Sequence, residues 1–451
     1  MKRRQYLSVP FAEKDEAREL GAYWDDIQKL WYTTFEKESE LLKFEKWIFQ
    51  NEKKKCHCSI CGKDNVKKII STQQKIETED GENIINCQIP DAYYCLDCQK
   101  IVEVIPQKDV KTDEFLLLID GSSLLSTNYY GTLPPEIKFA KTDEEKEKNY
   151  DKIMQTSKGE YTNGVFATLE SILKIVKNQK PAYLAIAFDK SRNTFRKDLY
   201  PEYKANRKET PKPLKEQFIL MQKVLKEMGI PVFVNDKYEA DDLIGTLAKK
   251  FEDKIPVVLY TKDSDYTQLV DDKVVLWRDC TSQDKADALY VKYNISRGNV
   301  PDKVFPYDYG VVYEEFGVFP EAIADLKGIM GDSSDNIPGV KGVSSAAPLL
   351  VDHYGSVEKI YAAIHSAVDL KQEKTLKEYW KNELGLKRSP WNALVKHEQE
   401  AVLSKELATI KTDIPMDVSL ISLQTLIDKE KLKEVFRKLE IKSLDSYLKI
   451  L

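Results

Sequence analysis

Between residues 113 and 265 four short apolar runs each lead into acid. "FLLLI" (115–119) ends at Asp120, "YLAIAF" (183–188) at Asp189, "PVVLY" (256–260) runs on to Asp263 and Asp265, and "PVFV" (231–234) leads to Glu239-Ala-Asp-Asp242. Runs this short and rich in β-formers, separated by helical patterns, predict a parallel sheet flanked by helices, an α/β fold. In such sheets the carboxyl ends of the strands form the ligand crevice, so these acids are predicted to converge there. Glu239, Asp241 and Asp242 open the apolar helix "LIGTLA", where the helix dipole favours acids and Glu239 faces Asp242.

Any one of these aspartates, taken singly, reads more simply as a helix cap or turn former. Seven carboxylates in one crevice are another matter. Their mutual repulsion at low dielectric calls for cations, and an oxygen-only donor set selects Mg²⁺ or Mn²⁺ rather than zinc. Two such ions ~4 Å apart generate a hydroxide nucleophile and stabilise the leaving oxygen of an in-line phosphoryl displacement. The pattern points to phosphodiester hydrolysis, and away from a glycosidase, which needs only a pair of acids.

Directly after Asp189, "KSRNTFRKDLYPEYKANRKETPKP" interleaves Arg192, Arg196, Lys197, Lys204, Arg207 and Lys208 with Phe195, Tyr200 and Tyr203. Basic side chains track phosphates and aromatics stack unpaired bases, so this arm reads as a nucleic-acid strand binder. Further on, "GIMGDSSDNIPGVKG" (328–342) places Asp332 and Asp335 just before a glycine hairpin. Gly339, Val340, Lys341 and Gly342 lead into a helix, and the glycines allow backbone N–H groups to approach a phosphate.

The first 110 residues have a different texture. "YLSVP", the charged "EKDEARELG" stopped by Gly21, and "KLWYT" predict a compact αβ module over 1–50, with Trp24, Trp31 and Trp47 as core aromatics. Six of the seven cysteines then lie between Cys56 and Cys98. Cys58-x-x-Cys61 and Cys95-x-x-Cys98, separated by 33 residues, predict a zinc module over 51–110, with Cys56, His57 and Cys87 as substitute ligands. The charged stretch 141–152 reads as a solvated insertion, and the chain beyond Gly328 as helical. No run approaches the ~18 apolar residues of a membrane span, so a cytoplasmic protein without a membrane partner is expected.

Taken together, "LLIDGSSLL", "GEYTNGVFATLESIL", "FDKSRNTFRKDLYPEYKANR", "YEADDLIGTLA", "TKDSDYTQLV", "GIMGDSSDNIPGVKG" and "LATIKTDIPMDV" resemble the structure-specific 5′ nucleases. These comprise the flap endonucleases and the 5′–3′ exonuclease domain of bacterial DNA polymerase I. The resemblance implies a PIN-like nuclease core over 111–327 with a helical arch at about 190–215, and a helix–three-turn–helix with helical C-terminal region over 328–451. It implies metal ligands at Asp120, Asp189, Glu239, Asp241 and Asp242 on one part of the site, and at Asp263, Asp265, Asp332 and Asp335 on the other. Arg196, Tyr203, Lys204 and Arg207 become arch residues that thread a 5′ single strand and hold the scissile phosphate, and the hairpin a duplex grip, with K⁺ bound there. Residues 6–33 resemble a small domain of unknown function appended to phage and plasmid DNA-processing proteins.

The implied activity is cleavage near DNA 5′ ends, overhangs, flaps and single-strand/duplex junctions, with RNA–DNA hybrid as a further substrate, in a bacterial or phage-infected cell. Any polymerase would act in trans. Two other readings stand beside it: a DNA-structure-binding protein without catalysis, and an RNA-specific nuclease of related fold. One departure concerns the hairpin, where Gly342-Val-Ser-Ser-Ala-Ala-Pro348 lacks a glycine and a basic residue usual in the family.

Overall fold

The computed structural model describes residues 114–449 continuously and, before them, separate segments between Arg3 and Pro106, with side chains described only as far as Trp47. The chain divides into two compact units, residues 1–111 and 112–451.

In the first unit, Arg3–Leu7 pairs antiparallel with Leu30–Phe35 on one side and Gln73–Glu77 on the other, so its sheet draws strands from both sides of residue 50. Leu7, Ala17, Trp31, Phe35, Phe44 and Trp47 bury a small core against the helix Lys14–Glu19. Trp24, expected inside, is instead 43% exposed and meets Trp31 edge-on at 5.6 Å. It stands on Tyr23–Asp25, the edge strand of the sheet. The expected zinc ligands Cys58, Cys61, Cys95 and Cys98, with the substitutes Cys56, His57 and Cys87, lie outside the described residues, those within strands being described in backbone only.

The second unit is built on six strands: β1 (Leu116–Asp120), β2 (Tyr183–Ala187), β3 (Val232–Phe233), β4 (Val257–Thr261), β5 (Val274–Asp279) and β6 (Val304–Tyr307). Their spatial order is β3-β2-β1-β4-β5-β6, parallel except for β6, which runs antiparallel along one edge. The order reverses direction beside β1, and such a switch point is where open sheets place ligands.

Successive residues of the central strands point to opposite faces, and both faces are covered. Leu116, Leu118, Val257 and Leu259 pack with α5 (Ala240–Phe251) and α6 (Ile323–Met330) on one face. On the other, Leu117, Ile119, Leu184 and Ile186 pack with α1 (Gly121–Gly131), α2 (Asn163–Gln179) and α4 (Lys212–Glu227). This double burial is why the strands read as unbroken apolar runs rather than as alternating patterns.

The 328–451 region does not stand apart from the core. α7 (Ala347–Tyr354), α8 (Val357–Asp369) and α9 (Glu398–Ala408) extend the α5/α6 side. The chain then returns, and α10 (Lys429–Lys438) buries Leu432, Val435 and Phe436 on the opposite face of the sheet. Among the described residues no helix is long and apolar enough to cross a membrane.

Candidate active site

Three strand ends deliver acids, each tethered to the backbone. Asp120 caps α1, its Oδ1 accepting from the Ser123 N–H at 2.9 Å, while Oδ2 accepts from the Thr261 hydroxyl at 3.0 Å. Asp189 follows β2, and its Oδ1 accepts from the Ala240 N–H at 2.9 Å, linking that strand end to the first turn of α5. Asp263 follows β4 and accepts from the Asp265 N–H at 3.0 Å. These residues are caps and turn formers as well as site acids, so the simple reading and the functional one hold together.

Glu239 is the N-cap of α5 in a reciprocal capping box with Asp242. Its carboxylate receives the Thr194 hydroxyl at 3.1 Å, the Tyr203 hydroxyl at 3.2 Å and Lys204 Nζ at 2.6 Å. The opposite wall comes from α6 and the loop after it. Gly331 ends the helix, and reciprocal backbone bonds between Asp332 and Ile337, at 2.8 and 2.9 Å, close a loop that presents Asp332 and Asp335. Lys327 bonds Asp265 and, at 2.6 Å, Asp332, joining the two walls.

Burial and crowding set the protonation behaviour. Burial, then the neighbouring charge of Asp189, pushes Asp120 up to about 6. Burial and Asp263 push Asp265 up to about 7 against the pull of Lys327. Asp241 is also raised, chiefly by burial and then by Asp242 and Glu239, with Arg196 opposing. Burial alone would raise Asp332, but Lys327 and the Ser334 hydrogen bonds bring it down to about 2. Glu239 is lowered, its burial outweighed by Lys204 and Arg196. Among the described residues no three of these carboxylates converge on one point, and Lys204, Arg207 and Lys327 stand between them.

The basic arm folds onto this site. It consists of the short helix α3 (Phe195–Leu199), a run of turns through Arg207, and then α4. This is far less helix than an arch over 190–215 leads one to expect: Pro201 follows the end of α3 and supplies no N–H to continue it, and Pro211 and Pro213 stand at the start of α4. Lys204 sits in the left-handed region at φ 55°, its N–H donating to the Asp335 carbonyl at 2.8 Å. Asn206 donates to the Ser333 carbonyl and Asn336 to the Glu202 carbonyl, both at 2.7 Å, so arm and acid loop are stitched together. Arg207 bonds Asp335, and the Tyr203 hydroxyl donates between Glu239 and Asp335. Arg192 closes the base of the arm on the Arg207 carbonyl at 3.1 Å, and half-buried Lys197 reaches the Tyr203 carbonyl.

The model of the N-terminal resolvase-like domain of 5′-3′ exonucleases matches residues 115–297, and that of their C-terminal SAM fold matches 318–431. A 5′-3′ exonuclease of Aquifex aeolicus is 31% identical over 332 residues, covering 73% of this chain and 93% of that one. The chain belongs to the 5′–3′ exonuclease family. DNA polymerase I of Bacillus caldotenax is 33% identical over 332 residues, 73% of this chain but 32% of the polymerase, so this chain spans about a third of such relatives. Residues 4–48 match a domain of unknown function, DUF5710. Among solved structures, a T5 5′-exonuclease with bound zinc is 21% identical with a TM-score of 0.44, covering 74% of this chain and 98% of that one.

Several expected site residues sit elsewhere. Asp242 is wholly buried and spends both oxygens on Arg196 and the Glu239 and Lys411 N–H groups, so it does not face the crevice. Arg196 is 1% exposed and equally remote from any open surface. Gly339 and Val340, expected to offer N–H groups to a phosphate, donate them internally, to Ser404 Oγ at 2.9 Å and the Ile329 carbonyl at 2.8 Å. Of Gly339, Val340, Lys341 and Gly342, the last two are exposed. Lys327, which joins the walls, was missed. Its one sequence signal is its place in the last turn of the helix that ends at Gly331.

Proposed function

We propose that this protein is a divalent-metal-dependent 5′–3′ exonuclease and flap endonuclease that hydrolyses phosphodiesters near DNA 5′ ends, flaps and overhangs, with RNA–DNA hybrid as a further substrate. One observation carries the reading: backbone-tethered acids on two facing walls at the switch point of the sheet, with Lys204 and Arg207 laid directly on them.

The donor set fits hard divalent cations, because it is all oxygen and its crowding already drives Asp120 and Asp265 toward protonation. With Lys204, Arg207 and Lys327 drawn away from the acids, Asp120, Asp189, Glu239 and Asp241 would hold Mg²⁺ or Mn²⁺ on the sheet side, and Asp263, Asp265, Asp332 and Asp335 on the loop side. Bound there, such ions supply a hydroxide at neutral pH and neutralise charge on the leaving oxygen. Lys204 and Arg207 orient the non-bridging oxygens of the scissile phosphate and stabilise the charge that develops there. Tyr203, with its hydroxyl on Glu239 and Asp335, holds the arm in register. Exposed Lys341 and Gly342, with K⁺ at the hairpin, and Arg192 and Lys197 on the arm engage the DNA backbone. In the first unit, the thiolates of Cys58, Cys61, Cys95 and Cys98 would hold a structural zinc. We assign the protein to the cytoplasm.

The test is cleavage of a 5′-labelled flapped duplex by the full chain in Mg²⁺, alongside Asp265→Ala. Cutting by the parent and equal binding without cutting by the variant support the proposal. A parent that binds the flap but never cuts it turns the reading to a non-catalytic binder, and cutting of RNA alone turns it to an RNA nuclease.

A further inference from the structure

Arg196 and Asp242 form a buried fork: Nη1 to Oδ2 and Nη2 to Oδ1, both 2.7 Å. The same guanidinium donates from Nε to the Leu407 carbonyl at 2.9 Å and from Nη2 to the Thr409 carbonyl at 3.0 Å. Four of its five N–H groups are committed, and Glu239 lies 3.8 Å from Nη1. Asp242 completes the joint by accepting from the Glu239 N–H at 3.0 Å and the Lys411 N–H at 2.8 Å.

Three parts of the molecule meet at this pair. Arg196 belongs to α3, the base of the basic arm, and its carbonyl accepts the Tyr200 N–H where the helix ends and the chain turns toward Lys204. Asp242 belongs to the first turn of α5, which carries Glu239 and Asp241. Leu407 belongs to the last turn of α9, and Thr409 and Lys411 to the strap that leaves it. α9 also braces the hairpin, since Ser404 accepts the Gly339 N–H and Lys405 Nζ lies 2.8 Å from Asp325 of α6.

We propose that Arg196 and Asp242 are a positioning pair, setting the acid-bearing turn of α5 and the arm against each other, and that neither touches the phosphate or a metal ion. A guanidinium that is 1% exposed, with four of its five N–H groups committed inside the protein and Glu239 beside Nη1, presents no open face to a substrate. It has the geometry to hold two oxygens of one carboxylate and two carbonyls at fixed angles, which a lysine's single point charge lacks. The inference deepens the nuclease reading and rests on it for the kinetic arm of its test alone.

The test uses the full chain with Arg196→Lys, which keeps the charge and loses the fork, and Asp242→Asn, which keeps the shape and the acceptor. Binding of Mn²⁺ is measured by calorimetry, binding of flapped DNA in EDTA, and kcat and KM in Mg²⁺. Positioning predicts that Arg196→Lys weakens Mn²⁺ at least about threefold and lowers kcat at least about tenfold, with DNA affinity and KM within about twofold. A lysine that sustains kcat, or a loss confined to DNA affinity and its salt dependence, overturns the proposal, because either marks direct phosphate contact. Unchanged Mn²⁺ affinity and kcat also overturn it. Should both variants fail to fold, amide exchange of the parent decides. The Glu239 and Lys411 amides must then be among the slowest to exchange in the acid site, and rapid exchange there refutes a locked joint. A parent that cuts nothing sinks the nuclease reading, while Mn²⁺ binding and exchange still judge the pair.

Discussion

Gly339 lies so close to Gly331 that a β-carbon on Gly339 would stand 2.2 Å from the Gly331 nitrogen. Both residues have positive φ, 60° and 73°, and their contact closes the hairpin behind the acid loop. Gly339→Ala is expected to cost about 3 kcal/mol or more, since backbone cannot yield as a side chain does. Gly342→Ala, with the same handedness at φ 85° but open space around it, should cost only about 1 kcal/mol. Urea unfolding of the two variants measures the difference, and equal costs would show that the contact is not tight.

Asp265 tests the electrostatic account of the crevice. Its carboxyl is raised to about 7, so the native protein holds a proton that the unfolded chain releases near the ordinary aspartate value. The associated stability is fully present below about pH 4 and is lost as pH rises through about 7. In EDTA, Asp265→Asn should therefore unfold at a higher temperature than the parent at pH 8, with the gap closing by pH 4. A melting series across that range reads the sign directly.

Asp332 has the opposite sign. Held at about 2 by Lys327 and Ser334, it contributes stability present above the ordinary aspartate value and lost as pH falls through about 2. Lys327→Met removes the cation, so its destabilisation should be large at pH 6 and shrink between about pH 4 and pH 2. A pH-independent loss would assign Lys327 a packing role only.

Protons and divalent ions compete for the same oxygens, and this makes cleavage pH-dependent. At low Mg²⁺, activity should rise with a midpoint between about 6 and 7, where Asp120 and Asp265 ionise, and the midpoint should move down as Mg²⁺ is increased. A midpoint indifferent to Mg²⁺ would separate the titration from metal binding.

Lys204→Ala is expected to lower single-turnover cleavage by about 10²–10³-fold with little change in flap binding, the signature of lost charge stabilisation at the reacting phosphate. Comparable loss of affinity would instead make Lys204 a docking contact.

What could be read in advance divides along physical lines. β1, β2 and β4 were legible because burial on both faces leaves apolar runs ending in acid. β5 and β6 were not. "VVLWRD" carries an arginine and an aspartate, and "VFPY" holds Pro306, which an antiparallel edge strand tolerates and a central one does not. The acids of the site were legible as a set, but their partners were not. Arg196 meets Leu407 across 211 positions and Lys327 meets Asp265 across 62, and no local pattern encodes such pairings. For the same reason the arm read as a strand-binding helical arch, whereas Asn206 and Asn336 pin it to the acid loop.

The backbone tethers of the acids have one more consequence. Asp120, Asp189, Asp263 and Asp332 each accept a main-chain N–H, from Ser123, Ala240, Asp265 and Ser334, at 2.8 to 3.0 Å. A carboxylate can keep such a bond and still present an oxygen to the crevice only if its stem has one particular length. Glutamate carries the same charge one methylene further out, and would have to drop the amide or overshoot the crevice. At these four positions the gauge of the side chain is as much a specification as its charge.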